Sequence, residues 1–231
     1  MNIQYTNRHD AVGEWDCPQH HLVAMRQTHS NDIAELICAD RDAWVVYGPH
    51  TATRIAATAS DSSHNNAAPF TAIGRVWEVD ADAVITQSAR TIVSVRTADC
   101  LPIIVASGPY IGAIHAGRQG TLSGISERFA QALRVRGCDS ATLWCGPHIC
   151  EMCYEIDADT HTHFDLLEPN IAAFRQVFGP SLTVTRSMWC TRCHADRYFS
   201  YRAGDAEARN VFYGSLSPFN TVAVIDGAIM K

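Results

Sequence analysis

The sequence predicts an α+β fold with a mixed central β-sheet flanked by helices, and three observations lead there. Short apolar or β-branched runs between turn residues outnumber helical patterns. Only two segments carry an apolar stripe at helical spacing. The two kinds of pattern do not alternate in the regular βαβ rhythm of a doubly wound parallel sheet. The expected strands are His21–Met25, Ala43–Tyr47, Ala83–Thr86, Thr91–Val95, Pro102–Ala106, Tyr110–Ile114, Ala141–Cys145, Leu182–Arg186 and Thr221–Ile225. The first expected helix covers Thr121–Arg136, with Ile125, Phe129, Ala130 and Leu133 on one face and Gly137 as its stop. The second covers Pro169–Phe178, with the stripe Ile171, Phe174, Val177 and Phe178, a proline in its first turn and Gly179-Pro180 at its end. The polar stretch Thr58–Thr71 reads as a surface loop.

Composition narrows the function classes. The 231 residues are 47% hydrophobic and 18% charged, with a net charge of −6, enough apolar material for one sizeable domain over residues 1–231. Lysine occurs only at Lys231 and no basic cluster stands out, so a nucleic-acid backbone is a poor partner. No apolar run approaches the roughly 20 residues that span a bilayer. The opening residues have neither a basic nor an apolar export region, so the expectation is a cytoplasmic protein without membrane contact. In that setting the nine cysteines read as reduced thiols, most of them in the core and some as metal ligands.

Three segments combine the residue types that metal chemistry needs. In Thr97-Ala98-Asp99-Cys100-Leu101-Pro102 an apolar strand runs into an acid, a thiol and a proline, which is expected to end regular pairing or mark an edge. In Ala113-Ile114-His115-Ala116-Gly117-Arg118-Gln119-Gly120 a strand stops at a histidine before a glycine-spaced turn and a helix start, where anions are favoured. In Arg26-Gln27-Thr28-His29-Ser30 a strand ends in a polar cluster.

Six motifs in order give these segments a common meaning: QTHS (27–30), DAVIT (82–86), TADCLP (97–102), HAGRQG (115–120), GPHICEMCYEI (146–156) and CTRCHADRYFSYR (190–202). They resemble the laccase-domain or multicopper polyphenol oxidase family, better described as purine nucleoside phosphorylases of that fold. The resemblance implies a single domain of the laccase-domain, cytotoxic necrotizing factor-like, type. It implies zinc, with copper as the alternative ion, on His29, Cys100 and His115. One thiolate and two neutral imidazoles leave a fourth tetrahedral position open, the pattern of a catalytic zinc. His64 is the alternative first ligand, because the stretch from His29 to Cys100 is longer than the family interval. Asp99, Glu155 and Arg202 are the candidate catalytic residues, and Gly117, Arg118 and Gly120 the candidate substrate and phosphate site.

The implied activity is phosphorolysis of adenosine, inosine or methylthioadenosine, with adenosine deamination beside it. The partners are a nucleoside and phosphate, and the chain is expected to be a monomer. Arg118 and Gln119 stand where the family carries Trp and Arg, which weakens any transfer of substrate specificity. Alternatives are a zinc amidase editing peptidoglycan precursors, copper-dependent polyphenol oxidation, and a degenerate member that only binds ligand. His161-Thr162-His163 is the only H-x-H, too few imidazoles for a set of coppers. Cys190-Thr191-Arg192-Cys193-His194 matches the haem-attachment pattern, but haem attachment belongs to exported proteins. A second metal site from these thiols is not expected, and Cys145, Cys150 and Cys153 read as wall residues.

Overall fold

A computed structural model describes residues 1–5, 13–15, 21–39, 42–47, 51–55, 70–72 and 76–217. Its strands are β1 (Asn2–Tyr5), β2 (Gly13–Trp15), β3 (His21–Met25), β4 (Ile33–Ala39), β5 (Asp42–Tyr47), β6 (Thr51–Ile55), β7 (Phe70–Ala72), β8 (Val76–Val79), β9 (Ala83–Thr86), β10 (Thr91–Thr97), β11 (Leu101–Ser107), β12 (Tyr110–Ala116), β13 (Ala141–Cys145), β14 (Glu155–Asp157), β15 (Thr162–His163), β16 (Leu182–Arg186) and β17 (Asn210–Ser215). Three α-helices, α1 (Arg118–Leu122), α2 (Ile125–Val135) and α3 (Leu167–Phe178), complete an α+β fold.

Two sheets carry the molecule. One is five-stranded in the order β1-β17-β10-β3-β8, the other eight-stranded in the order β16-β13-β11-β12-β9-β4-β5-β6. Both mix parallel and antiparallel pairs. Strands β9 to β12 are buried almost throughout. The cause is layering. Along β11, Ile103 and Val105 face α2 and α3, where they meet Phe129, Leu133 and Phe174, while Ile104 faces the five-stranded sheet and meets Val93, Val95 and Phe212. A sheet covered on both faces needs near-continuous apolar strands rather than alternating ones.

The expected strands from His21 to Met25, Ala83 to Thr86, Ala141 to Cys145 and Leu182 to Arg186 have those bounds in the structure. The other expected strands up to residue 186 are present with slightly wider bounds, and Thr221–Ile225 lies outside the described residues. The single helix expected over Thr121–Arg136 is two helices. Gly124 adopts φ 77, a left-handed conformation that ends α1 and lets α2 start in a new direction. The second helix begins at Leu167, because Asp165 accepts from the Leu167 and Glu168 amides at 2.7 and 3.3 Å and so anchors its first turn. Asn170 of α3 ties the helices together, accepting from Ser126 Oγ at 2.6 Å and donating to Thr121 Oγ1 at 2.9 Å.

Pro102 also departs from expectation. It lies inside the eight-stranded sheet, paired with His115 on β12. Its carbonyl accepts from the Gly146 amide at 2.9 Å, so the side of the residue that lacks a donor faces just past the last β11–β13 pair, Ile103 with Cys145. No ladder bond is lost there. Most of Thr58–Thr71 lies outside the described residues. Among the described residues, no helix is long and apolar enough to cross a membrane.

Three connections run from the five-stranded to the eight-stranded sheet: β3 to β4, β8 to β9, and β10 to β11. Strands β8 and β10 both pair parallel with β3, so the three connections leave the first sheet at the same end. His29, Asp82, Asp99 and Cys100 all lie in these crossovers.

Gly112 of β12 is the tightest point of the core between sheet and helices. A Cβ there would lie 2.4 Å from Phe129 Cζ and 2.5 Å from the Val84 carbonyl oxygen. The carbonyl belongs to a paired strand and cannot retreat. Gly112→Ala is therefore expected to destabilise the fold by about 3 kcal/mol, the upper end of the overpacking range. Urea unfolding should show a lower midpoint with an unchanged slope.

Candidate metal centre and substrate cavity

His29, Cys100 and His115 each present one donor atom, and the three atoms lie within 4.8 Å of one another. The two imidazoles meet edge to face, with ring centroids 4.9 Å apart. His29 comes from the first crossover, Cys100 from the third, and His115 from the end of β12. His64 lies outside the described residues.

Asp82, fully buried in the second crossover, organises this group. One carboxylate oxygen accepts from the His29 amide at 3.0 Å and contacts His115 Nδ1 at 2.8 Å. The other accepts from the Thr28 and Ser30 amides at 3.1 and 2.7 Å and from their hydroxyls at 3.0 and 2.8 Å. These bonds curl the chain so tightly that His29 takes φ 60. Gln27 fixes the other end of the same loop, with its side-chain amide exchanging hydrogen bonds with the Arg96 backbone at 2.8 and 3.1 Å.

Protonation follows from these partners. Burial raises the Asp82 carboxyl, but the bonds from His115 and Ser30 outweigh it and hold the group well below the usual carboxylate range. Burial lowers His115, with Asp82 opposing, which favours the neutral ring. A carboxylate only accepts, so Nδ1 carries the proton and Nε2 presents a lone pair to the cluster. Burial, with the Asp99 and Asp82 charges, pushes the Cys100 thiol up to about 11, against an opposing pull from Arg209. An ion at the cluster would reverse that shift, because a coordinating thiol gives up its proton.

The donor set fits a divalent ion of the zinc type, since two imidazoles and one thiolate make three tetrahedral ligands and leave one position free. Gly117 makes the room. A Cβ there would sit 3.2 Å from Cys100 Sγ, 3.2 Å from His29 Cδ2 and 3.6 Å from His115 Cε1. Gly120 lies against the Ser30 carbonyl oxygen, 2.9 Å from where its Cβ would stand. Both glycines thus serve close packing around the cluster.

A cavity of about 370 Å³ opens over His29 and Cys100. Ile149, Leu166, Tyr154 and Tyr201 give it apolar and aromatic walls, and Arg202 and Arg209 give it two cations. Its size is that of a small-molecule site. The Arg202 guanidinium stands 5.2 Å from the centre of the Tyr154 ring. Asp99 lines the cavity with both carboxylate oxygens engaged, one by Thr191 Oγ1 at 2.6 Å and the other by the Arg202 amide at 3.0 Å.

The other sequence candidates are placed differently. Glu155 sits on the β14–β15 hairpin, bonded to His161 at 2.9 Å, and is absent from the cavity lining. Arg118 opens α1, close enough to Tyr154 for its charge to act on the phenol. The helix that starts there, α1, is only five residues long. Asp82, Tyr201 and Arg209 were not among the sequence candidates. Asp82 and Tyr201 lie inside quoted motifs, as Tyr154 does, whereas Arg209 follows the last motif with no sequence signal.

The Asp82 carboxyl is depressed in the folded state, so its contribution to stability is fully present above its unfolded value, near pH 4, and is lost as pH falls below it. Asp82→Asn sets an amide against N–H and O–H donors. It is expected to cost about 3–5 kcal/mol at pH 7 and to weaken divalent-metal affinity by about 10- to 100-fold. Denaturant unfolding at pH 7 and pH 2.5 should show the gap between variant and parent narrowing in acid, and chelator competition measures the affinity.

Comparison with known proteins places the chain in a family. The chain is 37% identical over 94 residues to the purine nucleoside phosphorylase of Xylella fastidiosa, an alignment covering 40% of this chain and 36% of that protein. It is 25% identical over 159 residues to adenosine deaminase RL5 from an unidentified prokaryote, covering 58% of this chain and 61% of the relative. The chain thus spans less than two thirds of the length of either relative. The crystal structure of YlmD from Geobacillus stearothermophilus shares the fold, with a TM-score of 0.63 at 23% identity over 86% of this chain and 75% of that one. Residues 3–181 match the family described as multi-copper polyphenol oxidoreductase laccase, and the chain belongs to that family.

Proposed function

We propose that the chain is a metal-dependent enzyme of purine nucleosides, which cleaves adenosine and inosine with phosphate and deaminates adenosine at the same centre. The observation that carries this reading is one cavity holding two tyrosine rings, two arginines and the edge of the His29–Cys100–His115 cluster. A purine needs flat apolar contact, which Tyr154, Tyr201, Ile149 and Leu166 offer. A phosphate needs fixed cations, which Arg202 and Arg209 offer. The names of the relatives, purine nucleoside phosphorylase and adenosine deaminase, support the same pair of reactions.

In this reading His29, Cys100 and His115 hold zinc. A bound ion there would supply Lewis-acid polarisation. Phosphorolysis forms a bond from a phosphate oxygen to the ribose C1′ and breaks the bond to the base. Arg202 and Arg209 bind the phosphate, while the tyrosines hold the purine plane. Asp99 acts as a positioning residue: it receives the Arg202 amide and the Thr191 hydroxyl and so sets where the guanidinium starts. Arg118 adds positive charge beside Tyr154. Deamination replaces the C6 amino group with oxygen from water and releases ammonia. It uses the same base-binding walls and needs no phosphate. Copper-dependent oxidation gains no support from His161-Thr162-His163. Among the described residues that pair joins no potential metal cluster.

Purified protein with inosine and phosphate should yield hypoxanthine and ribose 1-phosphate, and adenosine should yield inosine and ammonia. Absence of both products would end the proposal. Arg202→Ala and Arg209→Ala each remove a charge-assisted contact worth about 1.5–3 kcal/mol. Each is expected to raise the KM for phosphate about 10- to 100-fold. Deamination should change far less, because phosphate takes no part in it. Equal losses in both reactions would remove the arginines from the phosphate site.

A further inference from the structure

Cys150, Cys153, Cys190 and Cys193 converge from two distant segments. Their four sulfur atoms lie within 4.8 Å of one another, with Cys153 and Cys193 at 3.4 Å, and all four are free thiols. The sequence reading treated these cysteines as wall residues and as a false haem pattern. The fold instead sets Cys150-Glu151-Met152-Cys153 against Cys190-Thr191-Arg192-Cys193, two C-x-x-C turns face to face.

We propose that these four cysteines form a second metal site, a closed tetrathiolate centre for zinc that fastens two walls of the cavity together. Tetrahedral zinc with bonds of about 2.3 Å sets its four sulfurs about 3.8 Å apart, the scale of the observed cluster. Each C-x-x-C segment is a compact turn: the Cys153 amide donates to the Cys150 carbonyl at 3.0 Å, and the His194 amide to the Cys190 carbonyl at 3.0 Å. Two backbone N–H groups are already aimed at one sulfur. Cys190 Sγ accepts from the Cys150 amide at 3.3 Å and from the Cys193 amide at 3.4 Å. Such outer contacts orient a thiolate ligand and share its charge. Binding moves the thiol protons to solvent and changes no oxidation state. Four protein sulfurs leave no open position, so this centre is structural, unlike the three-ligand cluster under the cavity.

The second site bears directly on the cavity. Ile149 and Tyr154 flank the first turn and line the cavity wall. Thr191 lies within the second turn and donates to Asp99 beside Cys100. Arg192 crosses between the turns to the Cys153 carbonyl at 3.0 Å. An ion joining the turns therefore fixes Tyr154 and Asp99 together without touching a substrate. The site holds whichever reaction the cavity performs.

Elemental analysis of protein purified under reducing conditions tests the proposal. Wild type is expected to hold about two zinc ions per chain, one for each ligand set. Cys193→Ser and Cys153→Ser should each hold one, Cys100→Ser one, and the Cys100→Ser/Cys193→Ser double variant none. Cobalt loaded into Cys100→Ser should show the strong sulfur-to-cobalt absorption of a four-thiolate tetrahedral site, several-fold above that of Cys193→Ser. If Cys193→Ser does not fold, the cobalt spectrum of Cys100→Ser decides alone. The two centres fail separately: a count unchanged by Cys100→Ser would remove the His29–Cys100–His115 centre, and a count unchanged by Cys193→Ser would overturn this one. Iron in place of zinc, or disulfides among the four cysteines of reduced and purified protein, would overturn it as well.

Discussion

One buried carboxylate sets the geometry on which the rest of the site depends. Asp82 receives two hydroxyls, three amides and the His115 ring on its two oxygens. A carboxylate without partners would be too costly to bury, and the fold supplies them by bending the 28–30 loop around it. That loop carries His29, and the hydrogen bond to Nδ1 fixes the tautomer of His115. A single residue thus places two of the three donors and leaves Cys100 to be delivered by the next crossover. The repeated passage from one sheet to the other makes this possible, because it brings three polar loops to the same end of the molecule.

The central strands were legible in the sequence because both their faces are apolar, which leaves short uninterrupted runs between turn residues. The candidate set His29, Cys100 and His115 came from motif resemblance, and the structure brings the three side chains together. Other features were hidden for physical reasons. The break between α1 and α2 depends on the left-handed conformation of Gly124, while the apolar stripe on either side continues as if the helix did. Pro102 resembled a strand breaker because a sequence does not say which side of a strand its missing donor faces. Asp82 entered the sequence analysis only as the first residue of the DAVIT motif, and nothing local marks a carboxylate whose partners are more than 30 positions away.

The placement of the cations has a related cause. The sequence placed a phosphate site at Gly117, Arg118 and Gly120, on the strength of a helix start after a glycine turn. A helix of five residues offers little dipole, and the glycines are spent on close approach to the cluster and to Ser30. Within the cavity lining the positive charge comes from Arg202 and Arg209, in a segment without strands. Arg118 contributes from the side, through Tyr154. The loss of the family Trp-Arg pair at 118 and 119 therefore falls on the rim of the proposed site and leaves its charged wall in place.

That segment raises a mechanical question which the four cysteines answer. The stretch from residue 187 to residue 209 has no strand and only one short 3-10 turn, yet it carries Thr191, Arg202 and Arg209. Irregular backbone holds a position only where specific contacts fix it. Asp99 supplies two such contacts, from the inner side. The Thr191 amide donates to the His148 carbonyl, and beside that contact the Cys150–Cys153 and Cys190–Cys193 turns meet. A coordinated ion would replace the missing ladder of backbone bonds with four strong ones in a volume where no sheet reaches. On this argument the two clusters would divide the work by construction: the crossovers and the end of β12 bring together the three residues under the cavity, and an ion on the four sulfurs would hold the wall beside it at a fixed distance.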